Sequence, residues 1–241
     1  MVPVRLGSRR LPAKALSIIG DKALIVHVWE RLRALRDRVD VATDDARIAE
    51  CLASVGASVI RTSAAPRNGT ERVALVADPH ADIIVNVQGD QPFVDATVVA
   101  DVAQWLHARA SFDMATVAAP LLTSSAWQSP DVVKVVVSGE RALYFSRAPI
   151  PAQGASSTAL SAWRHLGIYA WRFDALKRYA ELPPSPLERL EHLEQLRALE
   201  AGMAIGVMKI SRGWLSVDTT EDLIEAREIV KHGAPLESGR A

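Results

Sequence analysis

Cysteine is almost missing from this 241-residue chain, with Cys51 the only one. A lone cysteine excludes an intramolecular disulfide, and a reducing compartment is expected. Cys51 lies in Ile48-Ala49-Glu50-Cys51-Leu52 and reads as a small core residue on a helix. An excess of either charge sign is missing too, since 28 basic residues face 28 acidic ones. That balance gives no bulk attraction to nucleic acid or to an anionic membrane, so any recognition of phosphate has to be local. No apolar run approaches membrane-spanning length, and no apolar signal segment opens the chain. The expectation is a cytoplasmic protein with neither a membrane nor a nucleic-acid partner.

What is present is an ordinary globular composition, 49% hydrophobic and 23% charged, in a length that suits one α/β domain with or without a smaller lobe. Short β-branched runs alternate with helical spacing. Val2-Pro3-Val4 is a strand stub; Leu24, Val28, Leu32 and Leu35 share a helix face; Val39–Thr43 reads as a strand. Asp44-Asp45 caps a helix to about Val55, Ala57–Arg61 is a strand, and Thr70 caps a helix through Ala77. Asp82–Gln88 is nearly continuous in apolar residues, the pattern of a strand buried on both faces. A helix over Ala96–Arg109 and a strand over Met114–Ala118 follow. Repeated β-then-α order predicts a parallel sheet covered by helices.

From Val132 the pattern changes. Val132–Val137 and Ala142–Ser146 flank Ser138-Gly139-Glu140-Arg141, a hairpin signal. An Ala/Ser/Gly-rich loop spans Ala152–Ser161, and His165–Trp171 is strand-like. Pro186–Ala201 reads as one helix ended by Gly202, with Leu187, Leu190, Leu193 and Leu196 in the core. Ala204–Ile210 and Trp214–Val217 close the sheet, and Thr219 or Thr220 caps a last helix. The tail 232–241 is expected to fray.

Three clusters point to chemistry. After the first strand, Arg5-Leu6-Gly7-Ser8-Arg9-Arg10-Leu11-Pro12-Ala13-Lys14 strings cations along a turn. Backbone N–H groups of such a loop can cradle polyphosphate while Arg and Lys neutralise it. It is neither a Walker A loop nor a dinucleotide fingerprint. Next, the apolar strand ends in Gln88-Gly89-Asp90, which puts a carboxylate where open α/β sheets bind ligands. A hard cation such as Mg²⁺ takes one or two carboxylates plus phosphate oxygens. Asp218 likewise ends an apolar run just ahead of a helix cap and remains available for a metal.

Taken together, these residues resemble the 3-deoxy-manno-octulosonate (Kdo) cytidylyltransferases, or CMP-Kdo synthetases. The resemblance runs from Pro3 to about Val230 through Pro3–Leu16, Asn68–Arg72, Asn86–Pro92, Ala142–Arg147, Arg164–Tyr169, Leu193–Arg197 and Val217–Leu223. It implies transfer of CMP from CTP to a 3-deoxy-2-ulosonic acid, with Kdo the leading candidate, for lipopolysaccharide biosynthesis. Arg5, Ser8, Arg10 and Lys14 would hold the triphosphate, and Arg72 and Gln88 would read cytosine. Asp90 and Asp218 would bind Mg²⁺ and, with Lys14 and Arg10, form the catalytic group. Arg147, His165, Tyr169, Glu194 and Gln195 would surround the sugar acid.

The implied fold class is a three-layer α/β/α arrangement with a mainly parallel nucleotide-binding sheet and a smaller mixed-sheet lobe. One nucleotidyltransferase domain would cover 1–231, its sugar-binding and dimerisation lobe near 132–171, in a homodimer. Two departures from the family pattern stand out. Ala13 and Ala15 replace the usual Gly and Pro of the phosphate loop, and the stretch after Pro151 is short and uncharged where another arginine is usual. The second departure leaves a related ulosonic acid open as substrate, and an inactive nucleotide-binding regulator is the remaining alternative.

Overall fold

The computed structural model describes residues 1–7, 10–35, 38–152 and 162–233. Along the chain run β1 (Val2–Val4), β2 (Ile18–Ile19), β3 (Lys22–Ala23), α1 (Leu24–Leu32), β4 (Asp40–Thr43), α2 (Ala46–Ala53), β5 (Ser58–Arg61) and α3 (Gly69–Val76). Then come β6 (Ile83–Val87), α4 (Ala96–His107), β7 (Met114–Pro120), α5 (Ser124–Gln128), β8 (Lys134–Ser138) and β9 (Arg141–Ser146). The rest are β10 (Trp163–Arg172), α6 (Phe173–Glu181), α7 (Pro186–Glu191), α8 (Gln195–Glu200), β11 (Ile205–Lys209) and α9 (Thr220–His232). The class is α/β, as expected. No described helix is long and apolar enough to cross a membrane.

The chain divides into two compact units. One comprises Met1–Ala81, Val85–Asp101 and the chain from Trp214; the other comprises Asp82–Ile84 and Val102–Gly213. In the first, β1, β4 and β5 form a parallel sheet with Val2 opposite Val41 and Asp40 opposite Ser58. Helix α1 buries Leu24, Ile25, Val28 and Leu32, spaced to make one apolar stripe. It stops at Leu32, so Leu35 lies beyond it in a turn. Asp45, not Asp44, caps α2 by accepting from the Arg47 and Ile48 amides. Helix α3 starts earlier than expected. Its cap is Asn68, whose Oδ1 accepts the Glu71 amide at 2.8 Å, because the Thr70 hydroxyl is taken by Asn86 Nδ2 at 3.0 Å.

In the second unit β7 pairs antiparallel with β10 and parallel with β11, which leads through β9 to β8. Strand β10 is ten residues long and reaches β8 as well, with Trp163 opposite both Pro120 and Val135. The ladder therefore closes on itself, which leaves fewer unpaired edges. Among the described residues the mixed sheet, which β6 joins beside β10, has six strands against three in the parallel one, reversing the proportion expected from sequence. The β8–β9 hairpin turns at Gly139, whose φ of 59° suits glycine. Helices α5 and α6 are additions to the expected elements.

Two further expectations need correcting. The helix foreseen over Pro186–Ala201 is broken between α7 and α8, where His192 takes a left-handed φ of 54°. The leucine spacing hides this break. In an unbroken helix Glu188 and Arg197 would lie on opposite faces, about 13 Å apart along the axis. With the break, Arg197 Nε reaches Glu188 Oε2 at 2.7 Å, and Leu190 is left 77% exposed. Trp214–Val217 is buried but forms no strand; its amide at Val217 bonds Asp90 O instead.

Candidate active site

The first cluster lies within the first unit. Gly89 follows β6 so closely packed that an added Cβ would meet Val4 and Ile25 side-chain atoms at 3.1–3.3 Å. Only glycine fits there without displacement, and it delivers Asp90 to the strand end. Asp218 is fixed by its own amide, which donates to Asp222 Oδ2 at 3.0 Å within the capping box that opens α9. Lys14 enters from the 3₁₀ turn Lys14–Leu16 and donates 2.9 Å hydrogen bonds to both Asp90 Oδ2 and Asp218 Oδ1. Arg10 Nη2 lies 3.0 Å from the same Asp218 oxygen. Burial alone would lower the Lys14 ammonium, but the Asp90 and Asp218 carboxylates outweigh it and hold the pKa above its ordinary value. Ala13, just ahead, has φ 55°, a left-handed conformation that costs a non-glycine residue about 1 kcal/mol.

Two carboxylates close enough to share one ammonium match the donor set of Mg²⁺, which completes its shell with phosphate oxygens and water. Among the described residues no group of three or more His, Cys, Asp or Glu could hold a metal by itself. The pair Asp90 and Asp218 thus fits a metal brought in with a polyphosphate, rather than an all-protein cage.

A cavity of about 290 Å³ is lined by Arg5, Leu6, Gly7, Asp44, Asp45, Ala64, Pro66 and Arg72. Arg72 is 3% exposed and held rigidly. Its Nη1 donates to Thr62 Oγ1 and to Ser63 O, and its Nη2 sits 3.3 Å from Asp44 Oδ1. That contact is an ion pair without hydrogen-bond alignment, because Asp44 Oδ1 has no directional partner among the described residues. Gln88 lies against Gly69, where an added Cβ would come 3.1 Å from its Oε1. Ser8 lies outside the described residues.

The second cluster is built within the second unit on β7, β9, β10 and the α7–α8 bend. Strand β10 bulges against β7 between His165 and Tyr169, with Gly167 at φ 70°. Thr116 fills the bulge: its hydroxyl donates to Ile168 O at 2.6 Å and accepts from His165 Nε2 at 2.8 Å. The hydroxyl has one proton, so His165 is the donor in that pair and its Nδ1 is left as an acceptor. His165 is packed between the Phe145 and Tyr169 rings. Burial pushes its pKa down to about 3.

With a second ring proton held neither at neutral pH nor at pH 5, His165 is a hydrogen-bonding group, not a proton shuttle. Its imidazole resonances should stay constant from pH 8 to pH 5; a midpoint near 6.5 in an NMR titration would overturn that assignment. The folded pKa lies below the unfolded value of 6.5, so stability should be lost as pH falls from about 6.5 towards 3.

Tyr169 donates to Gln195 Oε1 at 3.0 Å, and Gln195, 2% exposed, keeps its Nε2 without a hydrogen-bond partner among the described residues. A buried unpaired donor is costly and calls for a partner, which a water, an ion or a bound substrate can supply. Glu194 is half-buried at the N-cap of α8. Arg147 donates from Nε to Glu191 O at 3.1 Å and from Nη1 to Pro130 O at 2.9 Å. The loop expected over 152–161 lies, from residue 153 on, outside the described residues.

The profile of the cytidylyltransferase family matches residues 1–209. The 3-deoxy-manno-octulosonate cytidylyltransferase of Syntrophotalea carbinolica is 44% identical over 236 residues, covering 93% of this chain and 94% of the relative. That of Xanthomonas campestris pv. campestris strain 8004 is 46% identical over 242 residues, covering 94% and 96%. The chain belongs to the 3-deoxy-manno-octulosonate cytidylyltransferase family. A solved CMP:2-keto-3-deoxy-manno-octonic acid synthetase complexed with CTP superposes with a TM-score of 0.88 at 35% identity, covering 97% of this chain and 98% of that one.

Within this family frame, three residues went unnoticed in the sequence. Asp44 counted only as part of a cap, while Thr116 and Glu191 fell unremarked within an expected strand and an expected helix. Each acts through a partner 28 to 52 positions away, and spacing along the chain contains no such signal.

Proposed function

We propose that this chain transfers CMP from CTP to 3-deoxy-manno-octulosonate, giving CMP-Kdo and pyrophosphate, and that it serves lipopolysaccharide biosynthesis in the cytoplasm. The observation that supports this most is the shared contact of Lys14 with Asp90 and Asp218, beside Arg10, in a chain aligned over nearly its whole length with cytidylyltransferases. In the proposed reaction a hydroxyl oxygen of the sugar acid attacks the α-phosphorus. The bond to the β-phosphate oxygen breaks, and pyrophosphate leaves with that electron pair. Catalysis of this kind is mainly positioning and charge stabilisation.

Arg5, Ser8, Arg10 and Lys14 bind the triphosphate. Arg72 and Gln88 read the cytosine edge, with Arg72 locked by Thr62, Ser63 and Asp44. Asp90 and Asp218 would hold Mg²⁺, which when bound neutralises phosphate charge and makes a coordinated hydroxyl more acidic. Arg147 takes the sugar-acid carboxylate, a planar anion that suits its fork. His165 Nδ1, Tyr169, Glu194 and the unpaired Gln195 Nε2 meet the sugar hydroxyls. No nucleophilic side chain with an apposed base enters the reading, so the transfer is direct.

The proposal extends to organisation: one nucleotidyltransferase domain over 1–231, the parallel sheet layered α/β/α on the nucleotide side, a sugar-binding and dimerisation part at 132–171, and a homodimer. The test is pyrophosphate release with each of four nucleoside triphosphates crossed with a panel of 2-ulosonic acids, with and without Mg²⁺. Turnover should require Mg²⁺ and be fastest with CTP and 3-deoxy-manno-octulosonate. Absence of turnover with every acid would favour an inactive nucleotide-binding regulator, and preference for another nucleotide would overturn the roles of Arg72 and Gln88.

A further inference from the structure

Glu191 is the last residue of α7, the negative end of a helix, where a carboxylate gains nothing from the helix dipole. Its partners lie elsewhere, on the end of β9. Oε1 accepts from Ser146 Oγ at 2.6 Å and lies 3.4 Å from Tyr144 Oη, while Oε2 accepts from the Arg147 amide at 3.0 Å. The Glu191 carbonyl then accepts from Arg147 Nε at 3.1 Å. Ser146 Oγ passes the constraint on, taking the Ala148 amide at 2.9 Å.

The other side of Arg147 is held by Lys134, a lysine with no solvent exposure. Its ammonium donates to Ser129 O at 2.8 Å, Val132 O at 2.7 Å and Arg147 O at 2.5 Å. Pro130, whose carbonyl accepts from Arg147 Nη1 at 2.9 Å, lies inside the turn that Lys134 fixes. Amide, carbonyl, Nε and Nη1 of Arg147 are thus all tied down, and Nη2 makes no hydrogen bond to a described residue. A long, flexible side chain loses rotamer freedom when it binds an anion, and that cost falls if the fork is already fixed.

We propose that Glu191 is a positioning residue for Arg147, assisted by Lys134, and that it presets the guanidinium for the carboxylate of the sugar acid. The inference rests on the assignment of Arg147 to that carboxylate. Steady-state kinetics of Arg147→Ala, Glu191→Ala, Glu191→Gln and the double alanine variant test it. Glu191→Ala should raise KM for the sugar acid about tenfold, the loss expected for a charge-assisted hydrogen bond, and move KM for CTP less than twofold. The isosteric Glu191→Gln keeps one acceptor oxygen and should recover part of the loss. The double variant should be no worse than Arg147→Ala alone, because Glu191 acts only through Arg147. Multiplicative losses in the double variant, or equal rises in both KM values, would overturn the positioning role. An unchanged sugar-acid KM in Arg147→Ala would instead remove the Arg147 assignment on which it rests. If Glu191→Ala fails to fold, calorimetric titration of Glu191→Gln with the sugar acid gives the same decision: unchanged affinity contradicts the proposal.

Discussion

Asparagine in place of Asp90 should lower turnover by a factor on the order of 100 to 1,000, the range seen when one preorganised electrostatic group is removed from a reaction centre. The change is isosteric, and the backbone carbonyl of Asp90 still accepts the Val217 amide, so the local fold has no reason to move. What disappears is one of the two negative charges that meet at Lys14 Nζ. The Lys14 pKa should fall, since the Asp90 carboxylate helps to hold it up against burial. Less charge remains to retain Mg²⁺ with the triphosphate, so the Mg²⁺ concentration for half-maximal activity should rise. Pyrophosphate release across a Mg²⁺ series measures both effects. Activity within a few-fold of the parent protein, with an unaltered Mg²⁺ requirement, would refute the metal role of Asp90.

A change at Arg197 should have the largest effect on stability. Arg197 is 1% exposed at its side chain, pairs through two nitrogens with Glu188, and lies 4.8 Å over the Tyr179 ring. Replacing it by leucine leaves Glu188 facing a site built for a cation, and removing one partner of a buried pair costs about 3–5 kcal/mol. For a domain of this size that corresponds to a fall in Tm of roughly 6–20 °C. The companion variant with both Arg197→Leu and Glu188→Leu should recover much of the loss, because no buried charge is then unpaired. Thermal unfolding followed by circular dichroism decides the matter. A single variant within 1–2 °C of the parent protein would show that the pair contributes little.

Much of the fold was legible because its signals are local. The stripe of α1, the Asp45 cap, the β8–β9 hairpin with Gly139 and the Thr219–Asp222 capping box all follow from residues within a few positions of one another. The misreadings share one cause. Helical spacing continues across His192, and only the folded chain, with His192 at a left-handed φ and Arg197 paired to Glu188, reveals that α7 and α8 are separate. Thr70 looks like a cap until Asn86 is seen to occupy its hydroxyl. The apolar stretch Trp214–Val217 looks like a strand, yet its polar contacts run to Gln91 and Asp90.

The sequence alone determined the class of the fold, the family, and the candidate residues proposed for a polyanion and a metal. Those depend on composition, periodicity and motifs in order, all properties of neighbours along the chain. The tertiary structure decided the rest. It brought Lys14 between carboxylates 76 and 204 positions away, locked Arg72 against Asp44, kept His165 neutral by burial, and set Glu191 and Lys134 around Arg147. Charge state and hydrogen-bond pairing depend on what surrounds a group in space, and contacts between distant residues form only when the chain folds.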